Sequence, residues 1–450
     1  MIDKAREIAL KVLHDIDENG AYSNIALDEE INKNRNKLNE KDIGLISQIV
    51  YGVTTWKLTL DTIVEKYSKV KLKKISPWIL NILRMGIYQT IFLSKIPKSA
   101  AVDESVNLAK RYGHKGSVGF VNAVLRKVTI DDYKELFNIK DEKERISKTQ
   151  SMPIWLIEEL LKNNSIEEVF EICKNLNLKP ELSIRVNKIK INKEELIKKF
   201  REKNIECKEC DLEDFLILKN VKNIEKLEEF KQGFFTVQDE SAGLSTILLG
   251  AKKGEKVLDA CSAPGGKTTY IAELMKNSGE IDAWDIYDHR IKLIEDNCKR
   301  LGINIVKTNI QDASIYNKDL ELYDKILLDV PCLGIGVIKR KPDIKWQRKP
   351  EDVEEICKIQ YKILENCSKY LKPGGELVYS TCSILKEENQ DVIDKFVRKN
   401  QNFEIVTKEY VNNYQKIKKY LKNDKFLEIM PQEEYDGFFI CKMKFKNNIT

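Results

Sequence analysis

Two stretches set a thiol where chemistry could use it. "LLDVPCLGIGV" (327–337) carries Cys332 behind a proline at the end of an apolar run, and "LVYSTCSIL" (377–385) carries Cys382 behind Ser-Thr at the end of another. A thiolate at a strand tip is a nucleophile facing whatever binds above the sheet. A free cysteine otherwise packs as a small apolar group, which is the reading for Cys261, Cys298, Cys357, Cys367 and Cys441. Ten cysteines in 450 residues make no disulfide scaffold. Cys207 and Cys210 have CxxC spacing in "IECKECDLED", but zinc needs two more ligands. The only histidines, His14, His114 and His289, form no matching knuckle. No metal is expected.

The second chemical signal is "VLDACSAPGGKTTYIAEL" (257–274), a strand, a turn of small residues and a helix. Gly265 and Gly266 allow a ligand to approach the backbone, and the helix start offers free N–H groups. A P-loop would need glycine where Cys261 stands, and GxGxxG is absent. Asp285 lies 20 residues past Gly265, where a dinucleotide fold places its ribose carboxylate. Asp312 and Asp329 follow at the ends of the next two strands. Three carboxylates there would repel a triphosphate and suit a cationic adenosine ligand without phosphates, a description met by S-adenosylmethionine. The competing reading of each Asp is a cap or turn residue.

A third signal is basic. "VIKRKPDIKWQRK" (337–349) holds six Lys or Arg, one Asp and Trp346. Cations interleaved with an aromatic suit a phosphate backbone and an unstacked base, so Lys339, Arg340, Lys341, Lys345, Trp346 and Arg348 are the candidate RNA contacts. A solvated loop is the plain alternative.

These residues need elements to carry them. Residues 1–138 read as helical: Ile2, Ala5, Ala9, Val12, Leu13 and Ile16 share one face, segments 40–67 and 99–128 have similar spacing, and Pro77 and Pro97 punctuate. Residues 139–230 read as a linker and a small α+β unit, with the charged residues 131–150 suggesting a linker helix or connector. Its strands are 181–189, "FLILKN" and "GFFTVQ", with a helix over 192–204. From 231 to 450 short apolar runs alternate with helices, the pattern of a parallel α/β sheet. Its strands are expected at 256–260, 280–286, 304–310, 325–330 and 376–382, with a closing antiparallel pair. Such sheets bind ligands beyond their carboxyl ends, where both cysteines lie. A 42% hydrophobic, 33% charged chain of net charge +6 is of globular type. The start "MIDKAREIALKVLHDIDENG" has no apolar signal core, and "WILNILRMGIYQTIFL" (78–93) is interrupted by Arg84. A cytoplasmic, monomeric protein without membrane contact is expected.

"DACSAPGGKT", "DVPCLGIGVIKRKPDIKW" and "YSTCSI", in this order and spacing, resemble the RNA cytosine-C5 methyltransferases. Upstream, "AYSNIALDEEI", "IVYGV", "LRMGIYQ" and "GFVNAVLRK" resemble the NusB-like helical domain fused to the RsmB/Sun branch, which methylates a cytosine of 16S ribosomal RNA. "DVP" stands where the family often has "DAP". The resemblance implies an all-α NusB-like domain, a small RRM-like α+β domain and a Rossmann-like class I methyltransferase domain. It implies S-adenosylmethionine held by Cys261, Ser262, Ala263, Pro264, Gly265, Gly266, Lys267, Asp285, Asp312 and Asp329. It implies Cys382 as the nucleophile adding to cytosine C6 and Cys332 as the group assisting product release. Lys267 and the 339–349 run are the candidate cations beside the thiolate. The implied partner is 16S ribosomal RNA, naked or in a preribosomal particle. Two other readings stay open: a DNA cytosine methyltransferase using Cys332, although neither a Glu-Asn-Val segment nor a target-reading insertion is found, and a non-catalytic RNA-binding assembly factor.

Overall fold

The computed structural model describes residues 3–221, 223–412 and 414–446. The chain divides into two compact units, residues 1–178 with 338–349, and residues 179–337 with 350–450.

The first unit is helical. Its opening helix, Lys4–Asn19, starts at Asp3, whose carboxylate accepts the Arg6 N–H at 2.9 Å, and stops at Gly20 with φ +66°. Ala5, Ile8, Ala9, Val12 and Leu13 are buried, Ile16 is half-buried, and Ile2 lies outside the described residues. The expected segments 40–67 and 99–128 form helix pairs, Glu40–Thr55 with Lys57–Tyr67 and Lys98–Tyr112 with Lys115–Leu125. Pro77 opens the helix Pro77–Phe92, where a missing N–H costs nothing. Within residues 131–150 the helix Glu142–Gln150 buries Ile146 and Thr149. No helix among the described residues is long and apolar enough to cross a membrane.

The basic run corrects the sequence reading. Residues 338–349 pack within the helical unit. Lys345 is 1% exposed, and its ammonium donates to the carbonyls of Thr55 (3.1 Å) and Ser151 (3.3 Å) and to the Asn177 side-chain oxygen. The Trp346 indole N–H donates to the Thr54 carbonyl at 2.7 Å, and Asp343 accepts the Ser23 hydroxyl at 2.6 Å. Lys339 is also buried. Lys345 and Lys339 are therefore turned inward, away from a nucleic acid, and the half-buried Trp346 spends its indole N–H on Thr54. Lys341 is exposed, and Arg340 and Arg348 are half-buried. Cationic composition cannot reveal which ammonium groups point inward to carbonyl oxygens, because those oxygens come from distant segments.

The second unit holds two sheets. The smaller contains β1 (Leu182–Val186), β2 (Glu206–Glu209), β3 (Phe215–Lys219) and β4 (Phe235–Val237) in the antiparallel order β2-β3-β1-β4. With its helices Lys193–Glu202 and Glu228–Lys231 it is a βαββαβ unit. In this sheet β2 is the strand that sequence reading omitted, because its mostly exposed, charged residues give no apolar signal.

The larger sheet contains β5 (Lys256–Asp259), β6 (Glu280–Asp285), β7 (Val306–Ile310), β8 (Tyr323–Asp329), β9 (Leu371–Thr381), β10 (Phe403–Ile405), β11 (Leu421–Lys422), β12 (Phe426–Ile429) and β13 (Phe438–Phe445). Its order is β11-β12-β13-β9-β8-β5-β6-β7, with β10 added against β13. β7, β6, β5, β8 and β9 are mutually parallel, and β13 closes antiparallel to β9. β5 and β8, with Val257, Leu258 and Ile326 to Leu328 at 0% exposure, are covered on both faces, hence their unbroken apolar runs. The chain order reverses between β5 and β8, so a crevice opens there at the strands' carboxyl ends.

Replacing Lys345 by Met should take its donor away from the buried Ser151 carbonyl and from the half-buried oxygens of Thr55 and Asn177. We expect a loss of about 2–4 kcal/mol of stability, read as a lower midpoint in thermal or urea unfolding of the full chain.

Candidate active site

Four neighbouring strands end in carboxylates around that crevice: Asp329 on β8, Asp259 on β5, Asp285 on β6 and Asp312 just beyond β7. Asp312 accepts the Ser314 N–H at 2.8 Å, a turn role. Asp285 is buried; one of its oxygens accepts the Tyr287 N–H at 3.1 Å and the other faces Arg290 at 3.3 Å. Asp259 escaped the sequence reading, although it ends an apolar run as Asp285 and Asp329 do. It is fully buried, one oxygen accepts the Thr268 hydroxyl at 2.7 Å, and the other has no protein partner. Burial, with the Asp329 charge adding, pushes its carboxyl up to about 7.

The turn after β5 is pinned from several sides. The Ser262 N–H and hydroxyl both donate to the Trp284 carbonyl, at 2.9 and 2.8 Å. Gly265 has φ +96°, which favours glycine, and a Cβ there would meet Ile294 at 3.2 Å, which would have to give by a few tenths of an ångström. Asn297 donates to the Pro264 carbonyl at 2.9 Å. The helix Gly266–Leu274 then begins, and sequence reading missed what holds it. Arg185, on β1 and 0% exposed, donates to the Gly266 carbonyl at 2.7 Å, grips both oxygens of Glu273 and donates to Gln238. A buried ion pair of this geometry is costly to desolvate, and that cost is offset only when all its hydrogen bonds are made. Arg185 connects the small sheet to the turn. Nothing in "LSIRV" sets it apart from a surface strand charge.

Lys267 lies one residue into that helix. Its ammonium contacts Asp329 at 2.5 Å and sits 5.3 Å from the Phe438 ring centre. Burial alone would lower its pKa, but Asp329 and the Cys382 sulfur outweigh that and raise it. It therefore stays a cation. Asp329 is further held by the Ser380 hydroxyl at 2.9 Å. The structure brings the two cysteines together: the Cys332 and Cys382 sulfurs are 3.1 Å apart. The hydrogen bond to Cys382, then burial, then the negative charges of Glu388 and Asp329 push the Cys332 thiol well above its usual range. Either sulfur can donate across that contact, and the Cys382 sulfur is among the groups that keep Lys267 a cation.

Of the cysteines read as packing residues, Cys298, Cys367 and Cys441 are buried, while Cys261 and Cys357 are half-buried against the core. Cys207 pairs with Leu218 in the small sheet, and burial with the Glu240 charge raises the Cys210 thiol. Among the described residues no group of His, Cys, Asp and Glu could hold a metal ion.

The crevice fits S-adenosylmethionine. A glycine turn admits close approach, a buried carboxylate oxygen on Asp259 lacks a protein partner, and Asp285 lies beside the exposed apolar side chains Ile286 and Tyr287. A ligand with an ammonium group, ribose hydroxyls and a flat ring matches these in kind.

The Asp259 shift has a consequence for stability. Its carboxyl titrates near 3.8 when unfolded and near 7 when folded, so the folded chain binds the extra proton between those values. Its contribution therefore falls as pH rises through that window. In Asp259→Asn that slope should vanish, so the unfolding midpoint of the variant minus that of the parent should grow from pH 4 to pH 7 in thermal scans.

Three family models match successive parts of the chain: NusB family over residues 3–129, the Methyltr_RsmF/B-like ferredoxin-like domain over 152–225, and 16S rRNA methyltransferase RsmB/F over 246–444. The chain is 37% identical to the probable ribosomal RNA small subunit methyltransferase B of Bacillus subtilis, covering 98% of each chain. It is 32% identical to the corresponding protein of Synechocystis, covering 98% of this chain and 99% of that one. The crystal structure of PH0851 superposes with a TM-score of 0.79 at 27% identity, covering 98% of this chain and 99% of that one. The helical unit is NusB-like, the four-stranded sheet is ferredoxin-like, and the parallel sheet is that of a Rossmann-like methyltransferase. This chain belongs to the RsmB/F family of 16S rRNA methyltransferases.

Proposed function

We propose that the protein transfers a methyl group from S-adenosylmethionine to C5 of a cytosine in 16S ribosomal RNA through a covalent Cys382–C6 adduct. The observation that carries this reading is the pair of sulfurs 3.1 Å apart, on the tips of two parallel strands of which one carries Asp329, the partner of the Lys267 ammonium. A methyltransferase acting on a nitrogen or oxygen needs no nucleophilic thiol, still less two. Cytosine C5 is a poor nucleophile, and adding sulfur to the ring makes it a good one.

The donor supplies an electrophilic methyl group on a sulfonium. Its holders would be the turn Cys261 to Lys267, with Asp259, Asp285, Asp312 and Asp329. The Cys382 thiolate forms a bond to C6, and the C5–C6 π electrons move into the ring. The enamine so formed would direct its electron pair from C5 to the methyl carbon that a bound donor would supply, and the sulfonium's carbon–sulfur electrons would stay on sulfur. A base then removes the C5 proton, the C5–C6 double bond re-forms, and Cys382 leaves. The Lys267 ammonium balances the charge of the departing and attacking sulfur, while Asp329 orients Lys267. Cys332, 3.1 Å from the sulfur that must leave, is the group that assists release. The target base must be unstacked to reach the crevice, which favours a loop or partly folded RNA.

RNA grip by the helical unit, a monomeric state and a cytoplasmic setting belong to the same reading. The grip draws its support from the unit's NusB likeness. Lys341, Arg340 and Arg348 remain the candidate contacts of the basic run.

A DNA enzyme of this chemistry would attack through Cys332. Membership of the 16S rRNA methyltransferase family, and Lys267 as the cation that the Cys382 sulfur helps keep charged, support Cys382 as the attacking sulfur instead. The test is a pair of variants assayed on a 16S transcript with labelled donor. Cys382→Ser should lose methylation by at least about 10³-fold, and Cys332→Ser should accumulate a protein–RNA complex that survives denaturing electrophoresis. Bisulfite sequencing of the product should find one protected cytosine. Full activity in Cys382→Ser would overturn the mechanism, and an adduct lost in Cys332→Ser but kept in Cys382→Ser would reverse the roles.

A further inference from the structure

One buried carboxylate near the thiols has no part in the methyl-transfer steps. Glu388, just beyond the Cys382 loop, is 0% exposed. One of its oxygens accepts the Ser383 hydroxyl. The other accepts the Leu333 backbone N–H at 2.9 Å and the Gln360 side-chain amide at 2.9 Å. Leu333 follows Cys332 and Ser383 follows Cys382, so a single carboxylate grips the residue next to each sulfur. Gln360, also fully buried, donates its other N–H to the carbonyl of Pro331, on the opposite side of Cys332, at 3.0 Å. The Tyr379 hydroxyl donates to the Glu388 carbonyl at 2.6 Å and ties the grip back to β9. A further bond joins the same two loops, the Gly336 N–H to the Cys382 carbonyl at 3.0 Å.

Burying a carboxylate costs several kcal/mol, about as much as its hydrogen bonds contribute. Apolar side chains could join two loops without that cost. What apolar contacts cannot do is hold backbone and hydroxyl donors at fixed angles, and two sulfurs that act in successive steps need that.

We propose that Glu388 is a positioning residue that locks the two thiol loops at the spacing needed for Cys382 to bond the base while Cys332 stands ready to release it. This inference rests on the proposed roles of the two thiols. Glu388 acts through Leu333, Ser383 and Gln360. Its negative charge is also among the causes that keep Cys332 in the thiol form.

The test uses the full-length chain with Glu388→Asp and Glu388→Gln, alone and combined with Cys332→Ser. Asp is one methylene too short to reach both loops. Gln keeps the reach and removes the charge. In Glu388→Asp, kcat on the 16S transcript should fall about 10²-fold. KM and the donor affinity from calorimetry should stay within about twofold. The denaturant-stable RNA complex should accumulate as in Cys332→Ser, and the double variant should lose little more than the worse single one. In Glu388→Gln the limb of the kcat–pH profile set by Cys332 should move to lower pH, a readout that mere loop support would leave unmoved. Wild-type kcat in a folded Glu388→Asp, or a loss confined to KM or donor affinity, would overturn the role. If Glu388→Asp does not fold, Glu388→Gln decides: wild-type kcat with an unmoved profile overturns it. Full activity in Cys382→Ser would bring down the thiol reading itself and this role with it. A dead Cys382→Ser beside an unimpaired Glu388→Asp would remove only the positioning role.

Discussion

The catalytic unit is organised around the separation of two sulfur atoms. Cys332 and Cys382 lie fifty positions apart in the chain, yet their sulfurs are 3.1 Å apart because β8 and β9 are parallel neighbours with Asp329 level with Ser380. Each cysteine is carried a short way past its strand end, so a shift in register by one residue would turn one of them away from the other. The close backbone crossing of Gly336 and Gly437 keeps the first loop seated. A Cβ on Gly336 would lie 2.2 Å from the Gly437 carbonyl oxygen, so no larger residue fits without displacing the loop. That crossing lets the Gly336 N–H reach the Cys382 carbonyl.

Around this point the interior holds several charged pairs. Lys267 with Asp329, Arg185 with Glu273, and Lys442 with Glu376 are all ion pairs with little exposure. The last of these fastens β13 to β9, with Lys442 also donating to the Leu248 carbonyl at 2.8 Å. Buried pairs contribute little net stability over apolar packing. Their value in this unit is geometric: each fixes one edge of the crevice, the turn after β5, the tip of β8, or the strand that bears Cys382. Asp259 is the exception, a buried carboxyl with one oxygen lacking a protein partner. It makes the crevice a place where the fold is incompletely satisfied, which is where a cationic ligand gains most.

The sequence by itself was enough for the order of the five parallel strands of the catalytic unit and its antiparallel close. Strand runs such as "KILLDV" are apolar on both faces because helices cover both sides of a parallel sheet, and that pattern is local. The glycine turn, the strand-end carboxylates Asp285, Asp312 and Asp329, and the two thiols were legible for the same reason, since each lies within a few residues of a strand end. What only the tertiary structure decided were matters of distance between segments remote in the chain. It turned Lys345 and Trp346 inward against the carbonyls of Thr54, Thr55 and Ser151, brought Arg185 to Gly266, and set Glu388 between Leu333 and Ser383. A charged side chain has the same appearance in a sequence whether water or buried carbonyl groups solvate it. Hydrophobic periodicity reports which face is covered, but the partner of a buried charge is chosen by the packing of the whole unit.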